Sequence, residues 1–350
     1  QNTVQFSGAD YGPFFFVPAT PYQNYIDESI YFSTDSAVVD SFQTQYDNLW
    51  TDTVNYGNYA NIDGSLTRSY PTSPISHDMN FPPDNTNPLN DFGSRTVDVM
   101  SQEKQKIDAE IYRITNTMFT NVSINAVSRG VPMRLLTEPE EYRNVSRLWD
   151  SYNVDLMFMG GVQIKQTKHQ GLNHQKSMLL YGQGMTVWGS SNWTGPSADC
   201  QAEHNYFNTS KPWFFKWLEN QFERKWNSTV EYEPFIPLPP DPAANFAPAN
   251  NATGQPLTVT LTCDGGPWSQ KFDIYFGTTA TPPLVASDVL TGDPKVLNSR
   301  VFQVSGLLPN TTYHWQVVDK TMANLTAAGP VWSFTTGAGP TPTSTPAITT

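Results

Sequence analysis

Residues 168–181 read KHQGLNHQKSMLLY, and residues 188–193 read WGSSNW. The apolar run after Lys176 predicts a strand, and side chains two positions apart on a strand share a face. His174 and Lys176 therefore bring an imidazole and an ammonium to the same side of that strand. The second segment adds hydroxyls, an amide and a glycine that permits close backbone approach. Such a set suits a phosphate group, because the donors hold its oxygens while a ring nitrogen attacks or protonates.

The second of these segments repeats an earlier part of the chain. Residues 6–11 read FSGADY, so each copy has an aromatic residue, three small residues, an Asp or Asn, and a second aromatic residue. Ordered matches at nearly equal spacing indicate an internal duplication, in which each copy continues into a segment predicted to be helical. The downstream matches are Glu28, Tyr31, Phe32 and Trp50 with Glu203, Tyr206, Phe207 and Trp226.

The His-x-Lys pair occurs in the second copy alone. The position that corresponds to His174 in the first copy would fall before Gln1. We therefore expect the chain to be a fragment of a longer protein, cut inside the first motif. If the chemistry needs two such histidines, the 350 residues should be nearly inactive as a monomer, and a homodimer that pairs two copies of His174 would be the way to restore it.

With this motif and spacing, the chain resembles the phospholipase D superfamily, whose motif is His-x-Lys-x4-Asp followed by Gly-Ser-x-Asn. An acidic residue further on orients the histidine in that family. The matching residues are His174 and Lys176 for the first element, Ser190 and Asn192 for the second, and Glu203 for the acid, with Glu28 as its counterpart in the first copy.

Two features depart from the superfamily pattern. Tyr181 occupies the Asp position, so the acid expected to pair with the lysine is missing. In the first copy, Ser7 and Gly8 invert the usual Gly-Ser order, and Asp10 takes the place of the Asn. His169, in the loop that leads into the motif, is expected to be solvated rather than part of the site.

The resemblance implies an α/β fold in which two motifs meet across a pseudo-twofold axis in a mixed sheet flanked by helices. One histidine attacks phosphorus to give a phosphohistidine, the other protonates the leaving alcohol, and water or an alcohol resolves the intermediate. No metal ion or other cofactor takes part. By the same resemblance, His174 is the general acid or base and Glu203 orients it, with Glu28 facing the same cleft. The phosphate ligands are Lys176, Ser190 and Asn192.

Between the two copies, segments predicted as strand and helix alternate, which indicates an α/β arrangement with a largely parallel sheet. A segment rich in Asn, Pro, Ser, Gly and Asp, residues 53–98, is predicted to be long and irregular. Hydrophobic pattern and turn signals predict strands at 105–114, 131–137 and 154–160, and helices at 116–130 and 139–152.

A proline-rich stretch divides the chain. The short alternating runs beyond it predict an all-β sandwich. The segment LLPNTTYHWQVV with the closing GPVWSFTT resembles the fibronectin type III family, in which Tyr313 would make a tyrosine corner. This resemblance implies a spacer or adhesion module. The predicted divisions are 1–233 for the phospholipase D-like domain, 234–245 for an extended linker, 246–337 for the fibronectin type III-like domain and 338–350 for a Pro/Thr-rich tail.

Charge and composition narrow the function. Lys and Arg number 20 against 32 Asp and Glu, a net charge of −12, which excludes a generic basic nucleic-acid binder. No apolar run approaches the roughly 18–20 residues that span a bilayer, so no transmembrane anchor is predicted. The leading interpretation is a secreted phosphodiesterase. It would cleave a phospholipid or a related diester and contact a membrane surface without an anchor.

Two alternatives stay open. A nuclease of the same superfamily ranks second, because Lys165, Lys168 and Lys176 would make a local basic mouth despite the overall charge. A non-catalytic extracellular binding or adhesion protein ranks third. That interpretation rests on Tyr181, on the inverted Ser7-Gly8 and on the fibronectin-like module.

Overall fold

The computed structural model describes residues 2–9, 25–51, 74–83, 91–290 and 299–339. These residues divide into two compact units. The described residues of 1–141 and 160–235 form the first unit, and those of 142–159 and 236–350 form the second.

Some predicted features fall outside this range. Asp10, most of the 338–350 tail and parts of the 53–98 segment lie outside the described residues. The domain boundaries drawn from the sequence stay a prediction.

Helices and strands are numbered here along the described chain. The helices are α1 (Ser36–Thr51), α2 (Phe92–Gln102), α3 (Thr117–Ser128), α4 (Pro139–Tyr142), α5 (Leu148–Met159), α6 (Gly195–Asp199) and α7 (Pro212–Asn227). The strands of the first unit are β1 (Val4–Ser7), β2 (Ile30–Ser33), β3 (Met79–Asn80), β4 (Ile107–Ile111), β5 (Met133–Thr137), β6 (Gln163–Thr167), β7 (Lys176–Leu180), β8 (Met185–Gly189), β9 (Asn205–Asn208) and β10 (Tyr232–Pro234).

The first unit is built on a mixed sheet, whose described strands follow the order β10-β6-β5-β4-β7-β8-β9-β3. β4 is parallel to β5 and β5 to β6, whereas β4–β7, β7–β8 and β8–β9 are antiparallel. The predicted α/β fold with a mixed sheet is confirmed. The expectation of a largely parallel sheet is wrong, because β7, β8 and β9 fold back on one another as consecutive antiparallel strands.

Helices cover both faces of this sheet. Phe92 of α2 lies 6.2 Å from Phe207 of β9, measured between ring centroids. Phe214 of α7 lies 5.8 Å from Tyr206, the preceding residue of the same strand. Successive side chains of a strand point to opposite faces, so α2 and α7 lie on opposite sides. Among the described residues, no helix is long and apolar enough to cross a membrane.

The two copies of the repeat have the same strand register. β1 pairs antiparallel with β2 so that Phe6 lies opposite Tyr31, and β8 pairs with β9 so that Trp188 lies opposite Tyr206. The two pairs pack edge-to-face with reciprocal distances: 6.0 Å from Phe6 to Tyr206 and 6.1 Å from Trp188 to Tyr31. Reciprocal contacts between equivalent residues are expected around a twofold axis. The two copies are therefore related by a pseudo-twofold axis, although β1 and β2 form a separate two-stranded sheet.

Local signals set the ends of α3 as the sequence predicts. The side chain of Asn116 accepts a hydrogen bond from the backbone N–H of Met118, which satisfies one of the unpaired donors at the start of the helix. Gly130 follows the helix with φ of +84°, a left-handed conformation that favours glycine.

The region after α3 differs from the prediction. The predicted helix 139–152 is split into α4 and α5, and the predicted strand 154–160 is the C-terminal part of α5. Val154 and Met157, one helical turn apart, are both fully buried. A short apolar run fits a buried strand and a buried helix equally well, so the pattern VDLMFM could not decide between them.

The second unit is the predicted all-β structure, apart from α5. The strands are β11 (Ala244–Ala247), β12 (Ala252–Gln255), β13 (Val259–Asp264), β14 (Lys271–Gly277), β15 (Leu284–Leu290), β16 (Ser299–Val304), β17 (Thr312–Lys320), β18 (Thr326–Ala328) and β19 (Trp332–Thr336).

These strands form one sheet in the order β11-β13-β16 and a second in the order β12-β19-β17-β14-β15, with β18 beside β17. The hydroxyl of Tyr313 accepts a hydrogen bond of 2.9 Å from the backbone N–H of Leu308. This is the tyrosine corner, and the fibronectin type III-like fold is confirmed.

A substitution at Gly189, at the end of β8, tests how closely β8 packs on β9. A Cβ there would lie 2.1 Å from the carbonyl oxygen of His204 and 2.8 Å from the Cα of Asn205. Since both are backbone atoms that cannot move aside, Gly189→Ala should lower the free energy of unfolding by about 1–3 kcal/mol. Gly195→Ala is the control, because a Cβ at Gly195 meets nothing within 4 Å.

The control should change stability by less than about 0.5 kcal/mol. Urea unfolding of both variants checks the prediction. Equal stability of the two variants would show that the strand contact is looser than described.

Candidate active site

An imidazole, an ammonium and a carboxylate converge at the start of β7. The Nδ1 of His174 lies 3.1 Å from Oε2 of Glu28 and 2.9 Å from Nζ of Lys176. Lys176 also donates a hydrogen bond to the carbonyl oxygen of His174. The side chains of His174 and Glu28 are 12% and 5% exposed, so water reaches them only in part. Two residues of the second copy and one of the first thus meet at one point.

These contacts determine which ring nitrogen of His174 carries the proton. Nδ1 offers either one hydrogen or one lone pair, so it cannot donate to Glu28 and accept from Lys176 at once. A proton on Nδ1 is stabilised by the carboxylate of Glu28, and the lone pair then lies on Nε2. In that state Lys176 keeps its hydrogen bond to the His174 carbonyl. Nε2 is then the ring atom that can exchange a proton with a substrate or attack phosphorus.

Backbone pairing places Glu28 beside the histidine. The N–H of Asp27 donates to the carbonyl of Leu172 at 2.7 Å, and the carbonyl of Asp27 accepts from the N–H of His174 at 2.9 Å. The second carboxylate oxygen of Glu28 accepts from the N–H of Ser29 at 2.9 Å. The chain before β2 is therefore fixed to the chain before β7, although 146 residues separate the acid from the imidazole.

The inverted Ser7-Gly8 order has a steric reason. A Cβ at position 8 would lie 2.9 Å from Oε2 of Glu28, 3.0 Å from the carbonyl oxygen of Gly189 and 3.2 Å from Cδ of Lys176. The glycine leaves room for the carboxylate that contacts the imidazole. This departure from the family pattern is thus compatible with an intact site.

Tyr112 forms one wall of the site, and the sequence analysis missed it. Its ring centroid lies 4.7 Å from that of His174 and 5.1 Å from Nζ of Lys176. Burial, and then the charge of Glu141, raises the pKa of Tyr112 to about 12. The available signal was its position directly after β4, the strand that pairs with β7.

The Gly-Ser-Ser-Asn segment forms the loop after β8. The hydroxyl of Ser191 accepts a hydrogen bond of 2.8 Å from the amide of Asn205. Oδ1 of Asn192 is buried and accepts no hydrogen bond from any residue the structure describes. Buried acceptors normally have a partner, so a donor from a ligand or a water molecule would complete this one.

The contact that the resemblance assigned to Glu203 is made by Glu28. The two carboxylate oxygens of Glu203 accept hydrogen bonds from the hydroxyls of Ser190 at 2.5 Å and Ser197 at 2.8 Å. The pseudo-twofold axis explains why Glu28 rather than Glu203 makes this contact, because the acid of the first copy reaches across the axis to the histidine of the second. The catalytic roles of these residues stay a prediction.

Tyr181, in the Asp position, lies at the far end of β7 from His174. Its hydroxyl donates to Oδ2 of Asp108 at 2.8 Å, and Arg134 binds both oxygens of the same carboxylate at 2.7 Å. A strand rises about 3.4 Å per residue, so a side chain at this position is too far away to pair with Lys176. The expectation that an acid partner of the lysine is missing stays a prediction.

Two other basic candidates, His169 and Lys165, have partners outside this cluster. His169 is 9% exposed and stacks on Tyr25 at 4.2 Å, so the expectation of a solvated loop residue is wrong. Burial lowers the pKa of His169. Nζ of Lys165 donates to the carbonyl of Trp226 at 2.5 Å rather than lining a basic mouth. Within the described ranges, no group of three or more His, Cys, Asp or Glu side chains is placed to hold a metal ion.

Comparison with known proteins identifies the segment that carries this geometry. Residues 97–226 match the family model described as cardiolipin synthase, PLD-like domain. The mitochondrial cardiolipin hydrolase of Chlamydomonas reinhardtii is 22% identical over 134 residues, which are 38% of this chain and 57% of that protein. The chain thus spans little more than half the length of this relative.

Two solved structures are similar to parts of the chain. The phospholipase D family member Nuc from Salmonella typhimurium, at 13% identity and a TM-score of 0.38, covers 45% of this chain and 95% of its own. A Fn3-like protein from Clostridium thermocellum, at 14% identity and a TM-score of 0.22, covers 30% and 97%.

The matched segment contains the His-x-Lys pair, the Gly-Ser-Ser-Asn loop and Glu203. It confirms the resemblance drawn from these residues. Residues 97–226 are therefore similar to a PLD-like domain, and this match, together with the cardiolipin hydrolase relative, supports the resemblance of this part of the chain to the phospholipase D superfamily.

Proposed function

We propose that this chain carries one half of a phosphodiesterase site, in which His174 is the general acid and base. The observation that carries the proposal is the convergence of Glu28, His174 and Lys176 in a largely buried pocket of the fold. An imidazole flanked by a carboxylate and an ammonium can move a proton while the ammonium attracts phosphate oxygens. The family match supports the same class of reaction.

The reaction runs in two steps. A nucleophilic histidine forms a P–N bond as the bond from phosphorus to the leaving oxygen breaks, and Nε2–H of His174 gives its proton to that oxygen. Water or an alcohol then gives a proton to Nε2 and attacks phosphorus, and the P–N bond breaks. Throughout, Glu28 holds the Nδ1 proton, so the charge that develops on the ring is compensated.

The second imidazole needs a source. The 350 residues contain one His-x-Lys pair. We propose that the second imidazole comes from a second copy of the chain. The 350-residue chain as a monomer should then bind phosphate weakly and turn over slowly.

A phospholipid or a related diester is the proposed substrate. The net charge of −12 disfavours a polyanion, and the Lys165 ammonium is already bound to the Trp226 carbonyl. A relative in the same superfamily carries the name cardiolipin hydrolase, which supports a lipid headgroup bond as the first candidate. Single-stranded DNA in the assay panel tests the nuclease alternative. A chain inactive against every diester, in all its assembled forms, would favour the binding-protein alternative.

His174→Asn should abolish turnover of a phospholipid diester in the active assembly, because the ring that exchanges the proton is lost. Acid–base catalysis contributes roughly 10²–10⁴-fold, and the fold should survive a polar exchange of similar size. His314→Asn, on β17 in the second unit, is the matched control and should keep full activity. Headgroup release is measured with and without a chelator. Full turnover by the His174→Asn protein would contradict the proposal, and loss of activity to chelator would indicate a different mechanism.

Glu28→Gln should lower kcat by roughly 10²- to 10⁴-fold, because an amide at this position no longer favours the proton on Nδ1. KM should change little, since Glu28 contacts the histidine rather than the substrate. Glu219→Gln, in an exposed pair with Lys216 on α7, is the control and should behave as wild type. Steady-state kinetics across pH 5–9 measure both variants. A Glu28→Gln protein with the wild-type kcat would return the orienting role to Glu203.

A further inference from the structure

A buried charge cluster lies behind the site, on the side of α7. Lys225, whose side chain is 1% exposed, lies 2.7 Å from Oδ1 of Asp27 and 2.6 Å from Oε1 of Glu110. The hydroxyl of Tyr232 donates to the other oxygen of Asp27 at 2.6 Å. Both oxygens of the Asp27 carboxylate are thus held, one by a cation of α7 and one by a hydroxyl of β10.

Asp27 joins this cluster to the site through its backbone. Its carbonyl accepts from the N–H of His174 at 2.9 Å, and its own N–H donates to Leu172 at 2.7 Å. The next residue is Glu28, whose carboxylate contacts the imidazole at 3.1 Å. One residue therefore anchors the main chain of the histidine and the side chain that orients it.

We propose that Asp27 is a positioning residue for this site, held by Lys225 and Tyr232 so that Glu28 stays against His174. The proposal rests on the proposed function for its kinetic consequence and on the geometry alone for its structural one. Asp27 acts through its neighbours, because its carboxylate is occupied within the cluster.

The charge balance of the cluster supports this role. Burial alone would raise the pKa of Asp27, but Lys225 and the Tyr232 hydroxyl lower it overall, so the carboxylate stays ionised. Burial raises the pKa of Glu110 to about 7, with Lys225 opposing and Asp27 adding to the effect. A buried ion pair that loses one partner leaves an uncompensated charge, so the geometry is strongly held while all members are present.

The groups that face the cluster come from several elements. From α7, Arg224 pairs with Glu231 at 2.6 Å, and Glu231 also accepts from the hydroxyl of Tyr25 at 2.6 Å. The ring of His169 stacks on Tyr25 and lies 6.2 Å from that of Tyr232. These contacts form an outer layer around Asp27 and Lys225, which keeps water from the ion pair.

Asp27→Asn removes the negative charge of this side chain and keeps its size and shape. A misplacement of about 1 Å can cost a factor of about 100 in rate, so kcat should fall by about that factor while KM stays within about twofold. The N–H of His174 should exchange with solvent at least about tenfold faster, because its acceptor is no longer anchored. Lys216→Met, an exposed lysine on the same helix, is the control and should change neither quantity.

The two measurements separate the two proposals. If wild type has no phosphodiesterase activity, the proposed function fails, and residue-resolved amide exchange still tests the positioning role. If Asp27→Asn does not fold, Tyr232→Phe replaces it, since it removes only the hydroxyl that binds Asp27 and keeps the ring. For either variant, faster exchange at His174 with a lower kcat and an unchanged KM supports the proposal. Wild-type exchange and wild-type kcat in a folded variant overturn it.

Discussion

The contact between the Glu28 carboxylate and Nδ1 of His174 joins the two copies of an internal repeat at one point. Its geometry constrains the surrounding residues. Position 8 must be small, or its side chain would displace the carboxylate. The chain around Asp27 must pair with the chain before β7, and that pairing is anchored to α7 by a buried ion pair. The site thus depends on contacts between segments far apart in sequence, which local propensity cannot supply.

The sequence predicts the repeat well, because matching residues recur at nearly equal spacing in the two copies. The register of β1 on β2 and that of β8 on β9 agree residue for residue, as the aligned aromatic residues indicate. What the spacing could not reveal is which acid faces which histidine. Glu203 is nearer in sequence to His174, but a twofold axis exchanges partners between the copies, so Glu28 makes the contact. Pairing across an axis is determined by the tertiary structure, and a single sequence carries no signal for it.

Other differences have similarly physical reasons. Tyr181 seemed to remove an acid from the site, yet its position is fixed at the far end of a five-residue strand, where its hydroxyl binds Asp108. Tyr181 therefore links the end of β7 to β4 through Asp108. His169 was expected in solvent because it lies in the loop that leads into the motif, but it is buried and stacks on Tyr25. Tyr112 escaped notice because its role depends on strand pairing rather than on a motif.

The proposed role of Glu28 depends on which nitrogen of the His174 imidazole carries the proton, and nitrogen NMR of ¹⁵N-histidine-labelled protein reports on that directly. If Glu28 orients His174, the neutral ring must carry its proton on Nδ1 and leave Nε2 unprotonated. Glu28→Gln must then shift the ring toward the other tautomer. These two spectra are the predicted result. A neutral His174 ring protonated on Nε2 in the wild-type protein, unchanged by Glu28→Gln, would contradict the account.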